Sequence, residues 1–174
     1  MSIKIPCLLG ARCYLSGPIE CDTTSFNWRE QPVQILTTEF GINVFDPHAD
    51  PKQQWLPQLK EAKAKKDYEK MSTIAHAFVR KDLSIVDRSD FLISYLPAGV
   101  RTTGTVHEII NSVNSKKPTL LVSEHKEDIP LWFYGFIPHE VMFSGWDELY
   151  SYLKDVNEGK HIHNRRWAFI YGII

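Results

Sequence analysis

At 174 residues, 43% hydrophobic and 24% charged, the chain can build one full core but is too short for two comfortable ones, so a single domain over residues 1–174 is expected. A formal net charge of −1, with basic residues dispersed outside KEAKAKK and the HNRR near the C-terminus, leaves no electrostatic footprint for a nucleic-acid polymer. No apolar run approaches the roughly 20 residues that cross a bilayer, and MSIKIPCLLGARCYLSG lacks a secretory pattern, which argues against a membrane partner and for a soluble, cytoplasmic protein.

Residues 13–15 follow Gly10 and precede Ser16-Gly17-Pro18, which predicts a first strand closed by a tight turn. A helix is predicted over 24–40, with Val33, Leu36 and Phe40 on one face and Gly41 as its stop. Residues 42–45 form a second strand, ended by Asp46-Pro47. Residues 52–79 are mostly helical; Glu61 stands four before Lys65, and the lysines there read as a solvated helix face. Ile74, Phe78, Leu83 and Val86 return to apolar helical spacing and carry Asp82 among them. A nearly continuous apolar run over 91–96 fits a strand covered on both faces. Pro97, Gly99 and Gly104 then break the chain before a helix over 105–114. A strand over 119–122, a loop through Pro130, a short strand over 141–143 and a helix over 146–156 complete the series.

Strands alternating with helices at this pitch predict an α/β fold: a doubly wound parallel sheet, Rossmann-like or flavodoxin-like, with helices on both faces. The tail HIHNRRWAFIYGII would expose much apolar surface if free, so it is expected to pack on the core or on a partner subunit. Cys7, Cys13 and Cys21 have neither C-x-x-C spacing nor an H-x-C partner. They read as buried or half-buried thiols, with no disulfide framework, no metal site and no cofactor expected.

The segment KDLSIVDRSDFLISYLPAGVRTTGTVHEII gathers Asp82, Asp90 and Glu108 around the third strand and the helix that comes after it. Carboxylates near the C-terminal end of a buried parallel strand usually mark a site. Glu108, one turn into a helix opened by Thr105, would be held ionised by the positive end of the helix dipole and could act as a nucleophile. Thr105-Val-His-Glu108 equally fits a capping box, in which the Glu merely reaches back to the N-cap amide.

CYLSGPI at the end of the first strand, DLSIVDRSDFLISYLP across the third and GTVHEI in the next helix resemble the nucleoside 2-deoxyribosyltransferase family, including its 2'-deoxynucleoside 5'-phosphate N-hydrolase branch. The resemblance covers about residues 11–155 and leaves 156–174 as a C-terminal tail. Its most specific part is the spacing of Asp82, Asp90 and Glu108. The resemblance implies Glu108 as the nucleophile that forms a deoxyribosyl ester, Asp82 as the general acid or proton relay for the departing base, and Tyr14 as the hydrogen-bond donor that aligns Glu108. Asp90 is implied to be structural. Ser16, Gly17 and Gly104 would let the backbone approach the sugar or a 5' substituent. His107, pointing about 100° away from Glu108 around the helix, reads as packing or rim.

The departures from the family pattern bear on the substrate. Transferases of the family carry an acidic residue six positions before the nucleophile, where this chain has Thr102, and an Asn reaching from a neighbouring subunit, where Pro130 stands after Ile129. Arg101, Thr102 and Thr103 could instead supply donors to a 5'-phosphate. The expected partner is a small nucleoside or nucleotide, the acceptor being another base or water. An apolar loop around 129–136 suggests a homo-oligomer, a dimer or higher. A non-catalytic nucleotide sensor is the competing class, and a dinucleotide enzyme is disfavoured because no G-x-G-x-x-G comes after the first strand.

Overall fold

The computed structural model describes residues 7–19, 28–100 and 102–172. Within these residues five strands form one parallel sheet: β1 (Arg12–Ser16), β2 (Asn43–Phe45), β3 (Phe91–Tyr95), β4 (Thr119–Ser123) and β5 (Met142–Ser144). Their order, β2-β1-β3-β4-β5, is that of the flavodoxin-like doubly wound sheet. Such an order reverses direction between β1 and β3, and the crevice outside the strand ends at that reversal is where this architecture binds ligands. Every residue of β4 is buried, as a parallel strand with helices on both faces must be.

Among the described residues five α-helices accompany the strands: α1 (Glu30–Thr38), α2 (Leu56–Ala64), α3 (Tyr68–Arg88), α4 (Thr103–Asn114) and α5 (Trp146–Asn157). α3 and α4 lie side by side and both contact β1. On the opposite face, Trp28, just before α1, stacks on Trp146 at the start of α5, with ring centroids 5.8 Å apart. The part of the predicted first helix before residue 28 lies outside the described residues, as does Cys21. Where one helical stretch was predicted over 52–79, the chain makes a 3-10 turn at Pro51–Trp55, then α2, then α3 running on to Arg88. The division falls at Lys66, which takes a positive φ of 56°, and at Asp67, whose carboxylate accepts the Lys70 N–H and caps α3.

Gly41 ends the α1 segment for a steric reason. Its φ is +66°, and a Cβ there would lie 2.4 Å from the Leu9 side chain. The C-terminal tail packs back on the core. Trp167 is fully buried, meets Phe91 edge-on at 5.7 Å and donates its indole N–H to the Tyr152 hydroxyl at 2.8 Å. Tyr171 donates to the Val156 carbonyl, which ties the last described turn to the end of α5. Cys13 is buried in the sheet and Cys7 is half-buried beside α5. No helix among the described residues is long and apolar enough to cross a membrane.

Candidate active site

Side chains two apart on a strand share a face, and on β1 this puts Tyr14 and Ser16 together under α4. From there both reach Glu108. Tyr14 donates its phenolic O–H to Glu108 Oε1 at 2.7 Å, and Ser16 donates to Oε2 at 2.5 Å. Tyr14 is fully buried and stacks on Phe45 of β2, ring centroids 5.6 Å apart, so its hydroxyl is held by packing as well as by the carboxylate. Burial first, and the neighbouring Glu108 carboxylate second, push the Tyr14 phenol far up, which keeps it a donor throughout the physiological range.

The same geometry decides between the two sequence readings of Glu108. α4 begins at Thr103, not Thr105, so Glu108 is the sixth residue of the helix, beyond the first turn where the dipole acts. Its oxygens are taken by strand hydroxyls, and Thr102 at the N-cap makes no side-chain cap. Glu108 is therefore no capping residue. Burial pushes its carboxyl above the usual range, while the Ser16 and Tyr14 hydroxyls and the Lys52 and Arg29 cations pull it back.

Arg29 stiffens the floor beneath. It is buried, donates to the Leu15 and Gly17 carbonyls at the end of β1, and pairs with Asp46 at 3.0 Å. Losing one partner of such a buried pair costs about 3–5 kcal/mol, because the other charge is stranded.

Glu108 borders a cavity of about 310 Å³. That volume suits a small molecule held between the strand ends and α3. Asp82 reaches the same cavity from α3, together with Phe78, Val79 and Leu83 on the same stretch of helix. It is not a solitary acid: its Oδ1 is in direct contact with the Lys52 ammonium. Thr102, Thr103 and Gly104 line the cavity from the start of α4, and His107 sits on its wall. Arg101 lies outside the described residues.

Two sequence expectations change. Ser16, expected only to leave room for substrate, is a direct donor to Glu108. Gly17 lines the cavity but is needed on its other side, where a Cβ would come within 2.5 Å of the Trp28 ring. Gly104 keeps the expected openness, since a Cβ there would meet nothing within 4 Å. Asp90 does not join the cluster. It sits at the opposite end of β3, where it accepts the Arg12 backbone N–H at 2.7 Å and pairs with the Arg12 guanidinium at 2.9 Å, a structural clasp between the starts of β1 and β3.

Lys52 and Arg29 were not found from the sequence. The turn carrying Lys52 comes after β2, whose end lies beside that of β1, and a segment leaving a parallel strand end next to this reversal is delivered to the site. Ser16 had a plainer signal, the two-residue spacing from Tyr14. Among the described residues, no group of three or more His, Cys, Asp or Glu is arranged to hold a metal ion.

No protein-family model matches the sequence. No curated protein sequence matches it either. Among solved structures, the fold matches a 2-deoxyribosyltransferase from Bacillus psychrosaccharolyticus with a TM-score of 0.58 at 21% identity, covering 82% of this chain and 96% of that one. A 2-deoxyribosyltransferase from Leishmania mexicana gives a TM-score of 0.46 at 15% identity, over 66% of this chain and 65% of that one. A CMP N-glycosidase from Clostridium botulinum gives 0.46 at 17% identity, over 84% and 98%. At its identity the first likeness is one of fold, and it is the fold that the sequence resemblance implied.

Proposed function

We propose that this protein is an enzyme that breaks the N-glycosidic bond of a 2'-deoxynucleoside or its 5'-monophosphate through Glu108, passing the sugar to another base or to water. The observation that carries the reading is the Glu108 carboxylate, each oxygen held by one hydroxyl from β1, at the edge of a cavity that also receives Asp82. As the bond lengthens, the anomeric carbon takes on positive charge and the departing base needs a proton. Glu108 supplies the anion and then the ester bond, and Asp82 stands where the base's proton must pass. A sensor would gain nothing from a buried, aligned carboxylate. The shared deoxyribosyltransferase fold adds support.

Incubation with a panel of deoxynucleosides and their monophosphates, with and without an acceptor base, tests the reading. Release of free base or formation of an exchanged nucleoside is expected. Tight binding with no bond cleavage across the panel would leave a sensor.

A 5'-monophosphate is favoured by the mouth of the cavity. Thr102, Thr103 and Gly104 bring the amino end of α4 to it, with unsatisfied N–H groups and hydroxyls in place of the acidic residue expected of transferases. Arg101 is a further candidate for the phosphate. Thr102→Asp should lower kcat/KM for the monophosphate relative to the free nucleoside by about tenfold, the order of effect of placing a carboxylate beside a dianion. An unchanged ratio puts the phosphate elsewhere or removes it from the substrate.

The working form is a homo-oligomer in this reading. Leu131 and Trp132 are 86% and 82% exposed on the loop after β4, and Tyr134 is partly exposed beside them, an apolar group suited to an interface core. Light scattering should give at least a dimer, and Trp132→Asp should shift it toward monomer. A monomer with full activity would remove this part of the proposal.

A further inference from the structure

We propose that Lys52 is the proton store of the reaction: its ammonium yields a proton through Asp82 to the departing base, and recovers one when the sugar is passed on. The inference rests on the N-glycosidic reading above. Lys52 stands next to Pro51 in the 3-10 turn after β2, and its side chain is only 7% exposed, aimed into the cavity against Asp82 Oδ1. A carboxylate touching an ammonium does not hold the proton itself. The proton of the pair rests on nitrogen and crosses to oxygen only as a more basic group draws it.

The other charged groups around Lys52 are already engaged. Asp50 accepts the Lys52 backbone N–H at 2.8 Å and the Lys81 ammonium at 2.6 Å. Glu108, across the cavity on α4, is occupied by Tyr14 and Ser16. His107 shares the cavity wall, and the Phe78 ring lies 5.6 Å from the Lys52 ammonium. Among the described residues, Asp82 is thus the one carboxylate whose side chain pairs with the Lys52 ammonium. Burial pushes the Lys52 ammonium down to about 8, against the pull of Asp50 and Glu108, with Lys81 adding to the fall. The store is full below that pH and empties as pH rises through it.

The step balances. The C–N bond breaks and its electron pair goes to the base nitrogen, which takes a proton from Asp82 as Asp82 takes one from Lys52. Glu108 closes the new C–O bond, and Lys52 is left as the neutral amine. In the second half, water or an incoming base N–H attacks the anomeric carbon, the ester C–O bond breaks, and the surplus proton returns through Asp82 to Lys52.

Lys52→Arg separates this role from mere positioning, because arginine keeps the charge beside Asp82 and does not release its proton. The measurement is kcat/KM from pH 5 to 10 for wild type, Lys52→Arg and Lys52→Met, on a deoxynucleoside or monophosphate whose base needs a proton and on a 7-methylated purine counterpart whose base leaves without one. Wild type should fall above about pH 8 on the first substrate only. Lys52→Arg should lose about 10²-fold or more on the first substrate and little on the second, the span of general acid catalysis. Lys52→Met should move the activity toward acid pH, where Asp82 can carry a proton unaided. Lys52→Arg with wild-type rates and an unchanged alkaline limb would overturn the proposal while leaving the N-glycosidic reading intact; a wild-type protein that cleaves nothing would instead overturn that reading.

Discussion

Replacing Glu108 by Ala is expected to remove roughly 10⁴-fold or more of the turnover, the scale of losing the nucleophile in a covalent enzyme. Glu108→Gln should be as inactive, although it keeps an oxygen to accept from Tyr14 and much the same shape. Stability should move far less. The Ala variant strands the Tyr14 and Ser16 hydroxyls, each worth about 1–3 kcal/mol when left unsatisfied. It also relieves the cost of burying a carboxyl whose pKa burial has raised, so the two effects offset each other. A kcal/mol of net change is about 2–4 °C in melting temperature for a chain of this size. Steady-state rates and thermal melts on both variants decide the matter. A folded Glu108→Gln protein with near-normal turnover would mean that the two hydroxyls hold a structural carboxylate.

Asp82→Asn carries the second large effect, and its size should depend on the leaving group. Asparagine keeps the shape but cannot take a proton from Lys52 and hand it on. Substrates with poorly leaving bases should slow by about 10²–10⁴-fold, whereas a 7-methylated purine, which departs neutral, should be nearly unaffected. Rates across bases of graded basicity give the slope directly. A loss of equal size for every base would make Asp82 a residue that positions substrate, and the proton route would have to be sought elsewhere.

Much of this was legible in the sequence because parallel α/β architecture writes itself plainly. The apolar run over 91–96 and the breaks at Gly41 and Pro97 placed β3, the end of α1 and the approach to α4 within a residue or two of where they lie. Tyr14, Asp82 and Glu108 could be named because their order and spacing carry the family resemblance, and the fold brings Asp82 and Glu108 to one cavity, with Tyr14 buried beside it and hydrogen-bonded to Glu108. What remained hidden depended on long-range geometry. That Thr103 and not Thr105 opens α4 is a result of how the helix seats over β1, and it turns Glu108 from a possible cap into a side chain held by two strand hydroxyls. Lys52 reads locally as one more surface lysine in a polar turn. Only the neighbouring of β1 and β2 carries that turn to the cavity, where burial and Asp82 change what the ammonium can do. Asp90, near Glu108 in the chain's pattern, lies at the far end of β3 and holds the structural place that the resemblance implied.

The most direct measurement is of the covalent intermediate itself. The protein is mixed with the deoxynucleoside or monophosphate it cleaves, quenched in acid within the first turnover, and examined by intact mass and peptide mapping, with a 2'-fluorinated substrate to slow breakdown of the ester. The account predicts a mass gain of one deoxyribosyl or phosphodeoxyribosyl unit, carried on the peptide that contains Glu108 and absent from Glu108→Gln. Bond cleavage with the unit on another residue, or a full burst of base with no adduct even from the fluorinated substrate, would contradict it.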